Sequence, residues 1–344
     1  DTPDADFTAT LEPTVTFTPT PTPTTTITPS PTPIRVPGVP TETPAPPDYD
    51  GPFPEEQLAY ASLRQNSLGN SLPQIWLYSV ADESHKQLTE MEGGACQPDW
   101  SPDGRLLVFI SPCSINQRIY LDSFLFVLDM VTGEVIQLAV EEGSFDPAWS
   151  PDGTSILFTK AANSLDTGIY RINTADSSID EMYSDMRLAY NPAWSPDGTQ
   201  LVFSSNIATQ FYLYVMENEP GAAPEQFTRI SGRQYVNPAW SVDGTIAYSR
   251  GPLDSFLSMW QMPAEMLGVE ESDYEEMPVN PDTVRVPELD PDFNTSGHWI
   301  AYESWQEGGN RDIYFIRDDG QVIVRITEDS RDDFDPAWRP YIIP

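Results

Sequence analysis

The phrase Pro-Ala-Trp-Ser-Pro-Asp-Gly, with variants, constrains this chain more than any other feature, because it returns at a nearly fixed interval. It is read in QPDWSPDGRLLVFIS at 97–111, DPAWSPDGTSILFTK at 146–160 and NPAWSPDGTQLVFSS at 191–205. NPAWSVDGTIAYS at 237–249 is one residue shorter, DPDFNTSGHWIAYES at 290–304 has drifted, and DPAWRPYIIP at 335–344 is truncated. The repeat prolines, Pro98, Pro147, Pro192, Pro238, Pro291 and Pro336, are 49, 45, 46, 53 and 45 residues apart. A period of about 45 residues suits one four-stranded propeller blade per unit.

Each unit reads the same way. Trp-Ser-Pro-Asp-Gly is turn chemistry, since proline presets φ and glycine accepts a positive one. A strand follows (LLVFIS), then a second with alternating apolar residues (IWLYSV at 75–80, FLFVLDM at 124–130, YLYVME at 212–217, DIYFIR at 312–317). A third ends in a Gln-Leu-Thr-like signature: KQLTE at 86–90, EQFTRI at 225–230, VRITE at 324–328. The first unit starts at LAYASL (58–63) without a preceding Pro-Ala-Trp, and the last supplies Pro-Ala-Trp (336–338) without a following strand. The two ends should pair, closing the ring and removing free sheet edges. The expected fold is therefore all-β: a six-bladed β-propeller over residues 53–344, closed by N- and C-terminal strands and preceded by an extended arm over residues 1–52.

On these motifs the chain resembles the TolB-like, WD-like repeat propellers, over about 285 residues. The resemblance implies the fold and says little of function, because sites are grafted onto folds. TolB carries an α/β domain before its propeller, where this chain has a Thr/Pro arm. Related peptidases append a hydrolase domain, whereas this chain stops once the ring closes. The Gly-His and Trp-Asp pairs of WD repeats are absent. Trp100, Trp149, Trp194, Trp240 and Trp338, with Phe293 at the sixth position, are read as packing between blades. Asp146, Asp290 and Asp335, with Asn191 and Asn237, precede the repeat proline and are expected to cap a turn; a ring of Ca²⁺ ligands is the alternative.

A formal charge of −36, with two lysines against fifteen arginines, argues against nucleic acid and anionic lipid as partners. Solubility is the simplest role of this acidity; a divalent cation or a cationic partner would also suit it. No run of eighteen apolar residues is present, so no membrane insertion is expected. The chain begins at Asp1 rather than Met, which suggests an exported product whose signal has been removed, in the extracellular space or at the cell surface. Cys96 and Cys113 flank the turn at 101–104, and in an oxidising compartment they are expected to form a disulfide.

No catalytic constellation is found, and no cofactor is expected, calcium being the reserve alternative. His85 and His298 are 213 residues apart and read as surface histidines. Gly-x-Ser-x-Gly, His-Glu-x-x-His, phosphate-loop and EF-hand patterns are missing. Asn294-Thr295-Ser296 fits an N-glycosylation acceptor, and the acidic stretch 263–289 reads as a solvated loop enlarging the fifth blade, with a contact loop as its alternative.

Residues 1–50 hold thirteen prolines and fifteen threonines, the composition of a mucin-like stalk. From Phe7 to Pro33 the pattern has a period of two. Thr14, Thr16, Thr18, Thr20, Thr22, Thr24, Thr26, Thr28 and Thr32 fall on one side of an extended chain and are candidates for O-glycosylation. Leu11, Val15, Phe17 and Ile27 share the other side with the prolines and form a docking face. Such a strand can add to a neighbouring sheet by one edge. The leading functional expectation is a non-enzymatic, secreted subunit of a glycosylated assembly or filament, self-associating through the arm. The alternatives are a tethered monomeric propeller binding a protein, peptide or glycan, and a Ca²⁺-dependent hydrolase in the channel.

Overall fold

The computed structural model describes residues 55–341, apart from 65–68, 70, 116, 209, 254, 270–274, 281–285 and 306–308. The Thr/Pro arm, with its candidate glycosylation positions and docking face, lies outside the described residues.

Six four-stranded antiparallel sheets follow one another along the chain. Blade one takes its innermost strand, Asp333–Trp338, from the far end of the sequence and its other three, Gln57–Ser62, Gln74–Ser79 and Ser84–Gln87, from the near end. Leu58 pairs with Trp338, Ala59 with Ala337 and Ser62 with Asp333, so the closure expected from the sequence is present. Blades two to six are continuous in sequence. Their innermost strands are Cys96–Trp100, Ser144–Trp149, Ala189–Trp194, Arg233–Trp240 and Glu288–Phe293.

The turn after each inner strand explains the Ser-Pro-Asp-Gly phrase. In blade two, Ser101 Oγ donates to Asp103 Oδ1 (2.6 Å) and accepts from the Leu106 amide (2.9 Å), while the Arg105 amide donates to the same carboxylate oxygen (3.0 Å). Gly104, at φ +63°, turns the chain. The network repeats around Ser150 and Asp152, and around Ser195 and Asp197. The Gln-Leu-Thr signature has an equally local cause. Thr89, Thr228 and Thr327 each turn a hydroxyl back to accept the amide of Ile75, Leu213 or Ile313, tying the end of a blade's outer strand to the start of its third.

The second strand of a blade lies between the flanking sheets, so both its faces are enclosed. Leu106–Ser111 and Trp299–Ser304 are buried at every position. The outermost strands are short and largely exposed, as at Val135–Gln137 and Ile323–Arg325.

Candidate binding site in the central channel

Each inner strand carries a β-bulge at its repeat proline, where the pairing register shifts. Proline is tolerated there because the bulge asks for no ladder donor. The preceding residue is left-handed in every blade: Gln97, Asp146, Asn191, Asn237, Asp290 and Asp335 have φ between 47° and 54°. Asn and Asp adopt that region more readily than other side chains, which explains their recurrence; Gln97 is the exception.

These six residues form the waist of the channel and bond from blade to blade. The Gln97 amide donates to Asp335 Oδ2 (3.0 Å), the Asp146 amide to Gln97 Oε1 (2.8 Å) and the Asn191 amide to Asp146 Oδ2 (3.0 Å). Gln97 Nε2 and Thr159 Oγ1 also donate to Asp146, and Asn237 Nδ2 donates to Asp290. Of the side chains expected to cap a turn, Asp335 and Asp146 instead cap the amide of the next blade, because the bulge aims them along the ring.

On the turn side of the waist lies a cavity of 330 Å³ lined by the repeat prolines, Ala148, Ala193, Ala239, Ala337 and Trp149, Trp194 and Trp240. The tryptophans knit the seams. Trp100 Nε1 donates to the Ala337 carbonyl (3.2 Å) and Trp194 Nε1 to the Ala148 carbonyl (3.0 Å), each in the preceding blade. Where aspartate replaces that alanine, the bond changes. Asp99 and Asp292 accept the backbone amides of Trp149 and Trp338 (2.6 Å each), and the two indole nitrogens have no partner. Trp100, Trp149, Trp194 and Trp338 are buried, while Trp240 and Phe293 are half-buried. Burial raises the Asp99 and Asp292 carboxyls to about 8 and about 7, against the Trp amides that favour the charged form.

On the other side lies a cavity of 280 Å³ with a different lining: Arg118, Tyr120, Tyr190, Glu303, Trp305 and Arg311 above the waist residues. Asp290, Glu303 and Asp335 bring carboxylate oxygens within 4.8 Å of one another. Arg311 Nη1 stands 3.5 Å from Glu303 Oε2, and the guanidinium lies over the Phe334 ring at 4.4 Å, with Trp305 at 5.6 Å. Burial is the first cause raising Glu303 to about 7 and Asp335 to about 6; Arg311 opposes it in both. Asp146 is raised to about 7 and Asp290 well above the usual range, again by burial first.

Glu303 and Arg311 escaped motif reading because Glu303 falls in the strand of the most drifted unit, 290–304, and Arg311 in the connection after it. A usable signal exists in hindsight: Glu303 is a carboxylate inside a strand whose residues are otherwise apolar or hydroxylic. The remaining candidates fall elsewhere. Cys96 and Cys113 are joined by a disulfide with a Cα–Cα distance of 5.9 Å, beside Tyr120. His298 is exposed and pairs with Asp318 at 3.0 Å. His85 is not a plain surface residue: it is half-buried, bonded to Tyr60 Oη (2.8 Å), and lowered to about 4 by burial and then by Arg64. Neither cavity has a histidine or cysteine in its lining.

Two readings need correction. Asn294 cannot accept a glycan in this fold, since it is 3 % exposed and its amide donates to Glu56 (2.9 Å) while its oxygen accepts the Trp299 amide. The stretch 263–289 is not wholly a solvated loop. Its Met277–Pro278 forms the outer strand of blade five, Glu276 pairs with Arg250 at 2.6 Å beneath the surface, and Glu288 accepts from the Met259 amide and Asn280.

The family described as TolB beta propeller domain matches residues 120–341. No curated protein sequence matches the chain. Among solved structures, TolB from Acinetobacter baumannii superposes with a TM-score of 0.68 at 19 % identity, covering 83 % of this chain and 67 % of its own. The putative TolB from Agrobacterium tumefaciens gives 0.61 at 14 % identity, covering 84 % and 99 %. One chain of a nidogen/laminin complex gives 0.61 at 7 % identity, covering 83 % and 98 %. At these identities the likeness is one of fold.

Proposed function

This chain belongs to the TolB beta-propeller family, and from that membership we propose that it is a non-enzymatic, protein-binding propeller working outside the cytoplasm. The observation that carries the reading is the asymmetry of the disc. The connections between second and third strands, all at the end holding the 280 Å³ cavity, expose Leu121, Leu165 (75 %), Leu253 and Phe256 (66 %). Apolar side chains displayed around a polar mouth are the anatomy of a protein interface. The disulfide supports an oxidising location, and no helix among the described residues is long and apolar enough to cross a membrane.

The test is affinity capture from the extracellular fraction of the native source, using the full chain and a Leu165→Asp/Phe256→Asp variant with an unchanged circular dichroism spectrum. A partner held by the native chain and released by the variant supports the reading. Equal retention by both overturns it.

A second reading rests on the period of two in residues 7–33 together with the exposed outer strands. Val135, Ile179, Ile323 and Val324 display apolar side chains there, beside unpaired edges that an alternating Thr/Pro strand could extend. In that reading the arm of one copy joins the blades of the next and builds a filament, its threonines carrying glycans. Deleting residues 1–50 should then abolish polymers in electron micrographs; polymers of the truncated chain refute it.

A further inference from the structure

We propose that two copies of this chain bind mouth to mouth, about a two-fold axis lying in the plane of the discs and passing through blades one and four. The inference deepens the protein-binding reading, rests on it, and names the partner as a second copy.

The first observation is where the charge lies. Connections from second to third strand, and from each outer strand to the next inner one, share the mouth end with the 280 Å³ cavity; the others share the turn end. Leaving aside the long connection 264–276, the described residues between strands and at the chain ends on the turn side carry thirteen carboxylates and two arginines. Those on the mouth side carry nine carboxylates and six arginines. Arg64, Arg229 and Arg311 have a carboxylate within 4.0 Å, whereas Arg118, Arg187 and Arg331 are exposed and meet none among the described residues. Two chains of formal charge −36 repel unless their most acidic faces point apart. Six-residue strands make each disc about 20 Å thick. Contact through the mouths therefore holds the turn faces several Debye lengths of about 8 Å apart.

The second observation fixes the axis. The most exposed apolar side chains of the mouth face are Leu165 on blade three, Met186 on the connection leaving it, and Phe256 on blade five. When two like discs meet face to face, an axis through blade four sets blade three of each copy against blade five of the other. No other two-fold axis in the disc plane does so.

That axis, chosen from apolar residues alone, also sorts the charges. It sets 88–95, whose charged residues are Glu90 and Glu92, against 326–332. There Asp329 and Asp332 are engaged within the chain, and Arg331 stands exposed beside Glu328. It sets 184–188, with Asp185, against 227–232, with Arg229. Segments on the axis meet their own copies, where like charges repel. Connection 206–211 of blade four has no charged residue, and in 63–73 of blade one only Arg64 is charged, held by Asp329 of its own chain. A uniformly basic partner would face the unpaired arginines, and a uniformly acidic one the nine carboxylates; a second copy answers both.

Sedimentation of the full chain at about 0.1 mM and pH 7 should give a dimer. Arg331→Glu should weaken it at least about tenfold, and Arg331→Glu/Glu92→Arg should restore it. Leu165→Cys and Phe256→Cys chains, mixed and oxidised, should cross-link to each other, while neither cross-links alone, since the axis keeps like positions on separate blades. A monomer at that concentration, a dimer indifferent to Arg331→Glu, or cross-linking of Leu165→Cys alone would each overturn the inference. If the full chain is monomeric while Leu165→Asp/Phe256→Asp still releases a captured partner, the self-association falls and the protein-binding reading stands.

Discussion

The two ends of the channel are made by the same six strands, yet they differ in kind. Downstream of each bulge the blades repeat themselves: proline, then alanine or aspartate, then an aromatic ring set into the seam. Upstream, where Phe334, Cys96, Phe145, Tyr190, Val236 and Leu289 sit, only blades one and three share a residue, and the loops between second and third strands add Arg118, Trp305 and Arg311. The repeated end is tied down by turn networks and seam bonds, so its residues answer to architecture. The varied end has no such duty in common, which leaves it able to carry a particular recognition chemistry.

The sharpest way to break this comparison is to damage the repeated end. Trp194→Ala removes a buried indole and its bond to the Ala148 carbonyl, and should cost about 4 kcal/mol in urea unfolding. A loss under about 1 kcal/mol would mean the seams do not rely on the aromatic ring. The varied end has one covalent tie, the disulfide of Cys96 and Cys113, spanning 17 residues. Replacing both cysteines with serine should cost about 3 kcal/mol, read as a lower thermal midpoint; an unchanged midpoint would show that Tyr120 and its neighbours hold that end alone.

Acidity tests both ends together. Asp99 and Asp292 at the repeated end, and Glu303 and Asp335 at the varied end, keep their protons in the folded chain to about 8, 7, 7 and 6. Each therefore binds more protons folded than unfolded between the ordinary carboxylate range and those values. Its contribution is complete below about pH 4 and is lost as pH rises through the folded value. Thermal midpoints should be higher near pH 5 than near pH 8, and Asp99→Asn, which keeps an acceptor for the Trp149 amide, should flatten part of the slope. A midpoint that climbs toward pH 8 contradicts this. The smallest effect belongs to the loops. Phe256→Ser should change stability by under about 0.5 kcal/mol, and a larger loss would show that the exposed ring already packs on something.

The blade architecture was legible in the sequence because its causes are local. Ser101, Asp103 and Gly104 close their turn within a few residues, and Thr89 reaches back to a strand of its own blade. The closing strand was legible because its missing and spare halves complement each other. The waist was not. Asp146 bonds to Gln97 and Asn191, 49 and 45 residues away, and the bond depends on a bulge that redirects the side chain. The same blindness made Asn294 look like a surface acceptor when its amide is spent on Glu56, 238 residues distant.

The closing strand also sets a timetable. Gln57 and Arg339, bonded side chain to side chain, are 282 residues apart. As the chain leaves the ribosome at roughly 5–20 residues per second, the Gln57–Ser62 strand stands without its inner neighbour for tens of seconds. Throughout that wait it offers an open β-edge beside Leu58 and Tyr60, side chains wholly enclosed once the ring is shut. A chaperone that binds the nascent polypeptide would find its target in that edge, and a ribosome-stalled fragment ending before Asp333 should be its most aggregation-prone form.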